Sequence, residues 1–139
     1  MARTGPEEAR ELSRKLFAVG ERMKHDFDAI AESVGLTPVQ ARTVLSLEQP
    51  SPMRSLATEL VCDASNVTGL ADRLERLGLV ERVADPTDRR VKLLSLTPAG
   101  VALRTDLAER VTRGSTVTAR LTKAERGRLE TLLDLLLAE

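Results

Sequence analysis

Hydrophobic residues recur at helical spacing along most of the chain, beginning near its N-terminus. In the first stretch they lie four, three, four and seven positions apart, at Leu12, Leu16, Val19, Met23 and Ile30. This spacing predicts a long amphipathic helix from about Glu7 to Ser33, which Gly35 ends. A helix of this length outgrows a small domain, which suggests a partner subunit; packing on the chain's own C-terminal helices is the alternative.

The next stretch opens with a helix-start signal, Thr37-Pro38-Val39-Gln40. It has the form of a capping box with proline at the first helical position, where the missing N–H costs nothing. The apolar face of this helix consists of Ala41, Val44 and Leu45. The segment Gln49–Pro52 breaks the helix, and Ser51-Pro52 is expected to start another one, with Leu56, Ala57 and Leu60 facing inward.

Two short helices are therefore predicted in succession, Pro52–Leu60 and Ala64–Leu77, with a tight turn at Val61–Asp63 between them. This is the geometry of a helix-turn-helix. We place Asp63 at the N-cap of the second helix and expect Gly78 to end it. The face of the second helix that packs on the core consists of Val67, Leu70, Ala71 and Leu74. Its opposite side is small and polar at the start and carries arginines further along.

After this helix the pattern changes to β-branched or alternating runs. Residues 79–83 and 91–96 predict a two-stranded hairpin with a long, charged tip at 84–90. Thr97-Pro98 then starts a helix that is expected to reach about Ala119, with a kink at Gly114-Ser115. A second capping box, Thr122–Glu125, opens a last helix. This helix is apolar on several faces, so it needs more cover than one small domain offers.

Composition supports a mainly helical protein. The 139 residues suit a single structural unit, and an aromatic content of 1% leaves Leu, Val and Ala to build the core, which favours helices packed on helices. The predicted fold class is therefore mainly α with a small β-hairpin. The 21 Lys and Arg residues equal the 21 Asp and Glu residues, and the charges within residues 54–92 also balance. This balance argues against strong non-specific DNA binding.

The sequence offers little chemistry of other kinds. One cysteine excludes an internal disulfide, and there is no CxxC or Cys/His cluster, so we expect no metal and no cofactor. The N-terminus lacks a signal-peptide core and no run of about 20 apolar residues occurs, so a cytoplasmic protein that does not enter the membrane is expected. A single histidine and the lack of a glycine-rich loop or nucleophile motif give an enzyme little support.

An ordered set of short motifs resembles a known family. The motifs are Val67-Thr68, Asp72-Arg73-Leu74-Glu75, Gly78-Leu79-Val80-Glu81-Arg82, Asp85-Pro86, Asp88-Arg89-Arg90 and Leu96-Thr97-Pro98-Ala99-Gly100. Together with the order of the predicted elements, they resemble the MarR family of winged-helix transcription regulators, named for multiple antibiotic resistance. The resemblance covers nearly the whole chain.

The resemblance implies a winged helix-turn-helix DNA-binding lobe at residues 35–97. A dimerisation helix at 1–34 precedes it, and two C-terminal dimerisation helices at 98–139 follow it. It further implies a homodimer on a palindromic double-stranded DNA operator, with the recognition helix in the major groove and the wing in the minor groove. Half-sites roughly 34 to 36 Å apart would follow. The expected function is that of a sequence-specific regulator, a repressor relieved by a small-molecule effector.

The recognition helix supplies one set of candidate DNA contacts. Small polar groups suit base edges and phosphates, and cations suit phosphates: Ser65, Asn66, Thr68, Arg73 and Arg76. At Gly69 the family often has a larger polar or basic residue, so base readout is weaker here or the backbone approaches the DNA more closely. Asp72 is expected to brace an arginine, or else to accept from a cytosine amino group.

The wing, which is the predicted hairpin of residues 79–96, supplies the second set of candidate DNA contacts. Arg90 matches the family arginine that enters the minor groove, where narrow A·T tracts attract a guanidinium. Asp88, two residues earlier, is expected to hold Arg90 by a salt bridge. Arg89 is a phosphate contact or is simply solvated.

Two further residues leave alternatives open. His25 lies near the place where the family keeps an effector cleft, although a lone histidine is more often structural. Cys62 is interpreted as a small buried residue, with a cysteine-based redox-responsive regulator as an alternative. A third alternative is a winged helix used as a protein-interaction adaptor, which the neutral charge balance favours.

Overall fold

The computed structural model describes residues 5–60 and 64–139, and the side chains of Ala64 and Ser65 are left out of the description. The helices are α1 (Pro6–Ser33), α2 (Pro38–Ser46), α3 (Met53–Glu59), α4 (Ala64–Arg76), α5 (Pro98–Gly114), a 3-10 turn (Thr118–Arg120) and α6 (Lys123–Leu137). The strands are β1 (Ser51–Pro52), β2 (Val80–Ala84) and β3 (Lys92–Leu96). The predicted fold class, mainly helical with a small β-hairpin, is confirmed.

The chain divides into two compact units. One consists of the residues up to Phe27 together with Arg113–Glu139, and the other of Asp28–Thr112. Among the described residues, the buried apolar core lies in the second unit, where Leu56, Leu74, Leu94 and Leu107 have no exposed surface. Burying these side chains supplies the main driving force for folding this unit.

The unit of residues 28–112 contains the helix pair and the sheet. The strand order is β1-β3-β2, and both pairings are antiparallel. In the hairpin, Val80 lies opposite Leu96 and Ala84 opposite Lys92. The predicted strands at 79–83 and 91–96 are therefore confirmed to within one residue.

The short strand β1 was not predicted from the sequence. The predicted helix Pro52–Leu60 is confirmed to within one residue, since α3 runs from Met53 to Glu59. Just before it, Ser51 pairs with Leu94 and Pro52 with Leu93 of β3. Pro52 is the N-cap of α3 and makes no side-chain hydrogen bond there. The hairpin is consequently part of a three-stranded sheet. Proline is tolerated here because β1 lies at an edge of the sheet.

The predicted helix ends are confirmed where local chemistry determines them. Gly35 and Gly78 follow α1 and α4 with φ of 75° and 74°, a left-handed conformation that glycine adopts without steric cost. In both capping boxes the hydroxyl accepts from the N3 amide and the N3 side chain accepts from the N-cap amide, with Thr37 and Gln40 at α2 and with Thr122 and Glu125 at α6.

The other unit contains most of α1, the end of α5, the 3-10 turn and α6. The prediction for α5 was wrong at its C-terminus, because Gly114 ends the helix instead of kinking it. Within this unit, Thr116 Oγ1 donates to Asp26 Oδ2 at 2.6 Å. Large apolar side chains are exposed along both long helices: Leu12, Leu16, Phe17, Val19 and Met23 on α1, and Leu132, Leu133, Leu135, Leu136 and Leu137 on α6.

Candidate nucleic-acid interface

Helix α4 separates a buried face from a polar one. Val67, Leu70, Ala71 and Leu74 are 0 to 3% exposed, so the predicted core face is confirmed. Four predicted DNA contacts lie on the exposed part of the same helix: Asn66, Thr68, Arg73 and Arg76. The helix therefore presents hydrogen-bonding groups in its first turns and guanidinium groups in its last turns. The N-cap at Asp63, Cys62 and the side chain of Ser65 lie outside the described residues.

Gly69 leaves a gap in this exposed surface. A Cβ built on it would lie 3.9 Å from Nη2 of Arg73, which is ordinary contact distance, and would meet nothing closer. The Arg73 side chain thus extends back along α4 toward Gly69. A methyl group would fit here without strain, so packing within the chain does not explain the glycine.

Arg82 of β2 connects the wing to α4. Its Nη2 donates to Asp72 Oδ1 at 2.6 Å, and its Nη1 donates to Glu75 Oε2. The hydrogen bond that Arg82 donates to Asp72, together with the negative charges of both carboxylates, raises the pKa of Arg82 above its ordinary value. We call these three residues the Arg82 clamp. The prediction that Asp72 braces an arginine is confirmed, but sequence reasoning did not identify Arg82 as its partner.

The wing tip contains two short turns, and in each of them an aspartate carboxylate accepts a hydrogen bond from a backbone N–H group. Asp85 Oδ1 accepts from the backbone N–H of Thr87 at 2.9 Å and from its hydroxyl at 2.8 Å. These bonds lower the pKa of Asp85, with the backbone bond as the largest cause. Asp88 Oδ1 accepts from the backbone N–H of Arg90 at 3.1 Å. The tip therefore has a defined backbone from which Arg89 and Arg90 extend as exposed side chains.

The contact between Asp88 and Arg90 corrects a further prediction. A salt bridge between the two side chains was expected, but Asp88 binds the amide of Arg90 instead. In residues 84–92, all of which the structure describes, no ion pair joins the Asp88 carboxylate to the Arg90 guanidinium. Asp88 thus shapes the loop and leaves the guanidinium of Arg90 available to another partner.

Outside α4 and the wing, the described residues bear on three further features: an effector contact, a metal site and a membrane-spanning helix. His25 is exposed on α1, and its assignment to an effector site stays a prediction. Within residues 5–60 and 64–139, no three His, Cys, Asp or Glu side chains are grouped so that they could hold a metal ion. In the same ranges, no helix has the length and apolar character needed to span a bilayer.

A helix-turn-helix pair followed by an antiparallel hairpin defines a winged-helix protein. The family model described as MarR family matches residues 36–92, which include α3, α4 and the first residue of β3. Over these residues the chain is similar to the MarR family. Structural likeness extends beyond the matched region, because a crystal structure of an E. coli MarR variant complexed with operator DNA superposes with a TM-score of 0.77. That match has 27% identity and covers 94% of this chain and 96% of that one.

Two curated relatives are both from Bacillus subtilis strain 168. The uncharacterized HTH-type transcriptional regulator YcgE is 37% identical over 90 residues, covering 63% of this chain and 56% of that protein. The HTH-type transcriptional repressor MdtR is 32% identical over 92 residues, covering 65% of this chain and 59% of that protein. The chain thus spans little more than half the length of these relatives.

Proposed function

We propose that the protein is a sequence-specific DNA-binding transcription regulator that acts as a homodimer in the cytoplasm. One observation carries this proposal. A single compact unit combines an exposed polar and cationic face on α4 with a wing tip that extends Arg89 and Arg90. A helix of this kind fits the major groove, and a guanidinium on a hairpin fits the narrow minor groove.

In this proposal the contacts are divided between the helix and the wing. Ser65, Asn66 and Thr68 contact base edges and phosphates near the start of α4, while Arg73 and Arg76 contact phosphates. Arg90 enters the minor groove and Arg89 contacts the backbone. Asp88 acts indirectly, since it holds the backbone of the loop that presents Arg90. Phosphate contacts fix the register of the protein on DNA, whereas base contacts specify sequence.

The exposed apolar surface supports the homodimer. Phe17 on α1 is 77% exposed and Leu137 on α6 is 79% exposed, and eight other large apolar side chains of the two helices are also exposed. So many exposed large apolar side chains on two helices are typical of an interface. A second copy of the chain would cover these helices and would create the two-fold symmetry that a palindromic operator requires.

Repression relieved by a small molecule is the regulatory part of the proposal. The relative MdtR is named as a repressor, and YcgE as a regulator. A small effector that prefers one spacing of the two recognition helices would shift the dimer between binding and non-binding states. His25 is the candidate effector contact. The proposed activity involves no catalysed reaction.

The decisive experiment is selection of bound duplexes from a random DNA pool by the purified full chain. We expect a palindrome with half-sites about one helical turn apart, roughly 34 to 36 Å. Binding to it should weaken steeply as salt rises, because phosphate contacts release counterions. If selection enriches no common sequence, and no duplex shows a salt-sensitive shift in gel mobility on addition of the protein, the proposal is rejected.

A protein-interaction adaptor is the second candidate, and the balanced charge of residues 54–92 favours it. An adaptor would leave the random pool unselected and would bind a protein through the exposed face of α4. The redox alternative concerns Cys62. It predicts that operator binding changes on mild oxidation and that the change disappears in Cys62→Ser.

A further inference from the structure

The Arg82 clamp joins two elements that the proposed function requires to act together. Arg82 lies on β2, the strand that leads directly into the wing tip, whereas Asp72 and Glu75 lie one turn apart on α4. Its guanidinium binds one carboxylate with each terminal nitrogen. A planar group with two such bonds fixes direction as well as distance. The clamp therefore constrains the orientation of the wing relative to α4.

Stability alone is a poor explanation for the clamp. The side chain of Arg82 is 30% exposed, and those of Asp72 and Glu75 are 45% and 44% exposed. Ion pairs with this much solvent access contribute little to folding, because water screens the charges and the long side chains lose entropy. The contribution to folding is therefore small, and an effect on DNA binding has to come from position and charge.

The clamp also changes the charge that α4 presents to DNA. Along the second half of the helix, Asp72 and Glu75 cancel Arg73 and Arg76, so this half has a formal charge of zero. Arg82 adds one positive charge and holds both carboxylates from the side of the wing. Without Arg82, two unpaired carboxylates would stand beside the phosphates that Arg73 and Arg76 are proposed to contact.

We propose that Arg82 is a positioning residue for DNA binding, which orients the wing against α4 and offsets part of the negative charge of Asp72 and Glu75 without itself contacting DNA. This inference rests on the proposed function. It assigns to the base of the wing a role separate from that of Arg90 at its tip. It also explains how a surface with balanced charge can bind a polyanion.

The test is a mutant cycle measured as affinity for the selected palindrome. Arg82→Gln should weaken binding about tenfold or more, because two carboxylates are released next to phosphates. In the Asp72→Asn/Glu75→Gln background the same change should alter affinity by no more than about twofold, since residues that act through each other are non-additive. An equal loss in both backgrounds would overturn the proposal, and so would no loss in either.

Two further variants separate position from general damage. Arg82→Lys keeps the charge but loses the two-pronged geometry, so we expect an affinity between those of the wild type and Arg82→Gln. Arg110→Gln is the matched control, because Arg110 also pairs with a carboxylate, Asp106, on the exposed side of α5. It should leave DNA binding unchanged. Arg82→Lys binding as weakly as Arg82→Gln would show that geometry dominates over charge within the clamp.

A DNA-free measurement keeps this inference distinct from the proposed function. Amide 15N order parameters report fast backbone motion, and in Arg82→Gln they should fall for β2 and the wing tip while α4 keeps the wild-type values. Arg110→Gln should match the wild type throughout. If no duplex is selected, the proposed function fails, and these order parameters alone decide whether Arg82 holds the wing. Unchanged values would overturn the positioning role.

Discussion

Arg90 is the residue at which the proposed minor-groove contact is most directly tested. Its guanidinium extends from a loop whose shape depends on backbone hydrogen bonds, so its removal should leave the loop intact. We expect Arg90→Ala to weaken binding to the selected palindrome about tenfold or more. The loss of affinity should be largest for duplexes in which A·T-rich sequence flanks the palindrome. Affinity measured against duplexes with A·T and G·C flanks checks this. Equal binding by the variant and the wild type, with dimer mass unchanged, would remove the wing from the mechanism.

Gly69 tests how closely the α4 backbone approaches DNA. Alanine fits there without strain and should stabilise the helix by about 1 kcal/mol, because glycine is the poorer helix former. We nevertheless expect Gly69→Ala to weaken operator binding about tenfold, since the methyl group would separate the backbone from the base edges. Thermal unfolding and DNA affinity measured together check this.

The control for Gly69 is Gly127 on α6, which also has open space around a built Cβ. Gly127→Ala should stabilise the protein by a similar amount, about 1 kcal/mol, and leave DNA affinity unchanged. Unchanged or tighter binding by Gly69→Ala would show that the backbone of α4 stays away from the bases.

Gly100 shows the opposite situation. A Cβ on it would lie 2.0 Å from the carbonyl oxygen of Leu79 and 3.1 Å from Leu96 Cδ2, so the start of α5 packs directly on backbone. Thr97 secures the same junction, because its hydroxyl donates to the carbonyl of Gly78 at 2.5 Å. We expect Gly100→Ala to lower the free energy of unfolding by about 1 to 3 kcal/mol. Chemical denaturation checks this, and stability equal to the wild type would mean that the junction relaxes without cost.

The residues of the site were predictable to different degrees. Polar and cationic positions on α4 follow from helical periodicity, because the opposite face is apolar. The role of Arg82 was not predictable in the same way, since its ion pairs depend on where β2 lies against α4. Asp88 was assigned to the wrong atom of Arg90, because sequence spacing does not distinguish a side-chain partner from a backbone amide.

At the scale of elements, the wing tip is expected to respond to pH. The folded pKa of Asp85 is lowered by its bonds to Thr87, so its ionised form stabilises the turn. This stabilisation is present above the ordinary carboxyl pKa of about 4 and is lost as pH falls through the lower, folded value. In Thr87→Val the side-chain bond disappears and the backbone bond remains, so the pKa of Asp85 should rise partway toward its ordinary value. NMR titration of the Asp85 carboxyl carbon checks this, and an identical pKa in the variant would contradict it.

Elements were predictable where their signals are local. Capping boxes and left-handed glycines involve residues a few positions apart, so α2, α4 and α6 begin or end within one or two residues of the predicted positions. Strand β1 was missed because its two residues carry no periodicity, and its partner β3 lies about forty residues further along the chain. Proline before a helical segment also resembles a helix start. The C-terminus of α5 was misplaced because glycine is compatible with both a kink and an end.

At the scale of the whole molecule, the exposed apolar residues of α1 and α6 require an explanation that one chain does not contain. Sequence periodicity already indicated surplus apolar surface on both helices, and the structure leaves it exposed. Each compact unit is small, and the buried apolar core of the described residues lies in only one of them. This exposure is the basis for the proposal that the unit that contains α6 completes its hydrophobic burial against a second copy of the chain.

The proposed homodimer makes a prediction with a closely matched control. Leu12 on α1 is 53% exposed and Val101 on α5 is 54% exposed, so single-chain exposure does not distinguish them. A carboxylate buried in an interface without a partner is costly, whereas one in water is not. We therefore expect Leu12→Glu to convert the dimer to monomer at micromolar concentration, measured by sedimentation velocity, while Val101→Glu stays dimeric.

Because a palindrome is bound by both subunits, Leu12→Glu should also lose most of its affinity for the full operator yet retain the weak affinity of the wild type for an isolated half-site. If Leu12→Glu remains dimeric, the dimer interface does not include this part of α1. If the wild type is monomeric, the proposed homodimer is wrong.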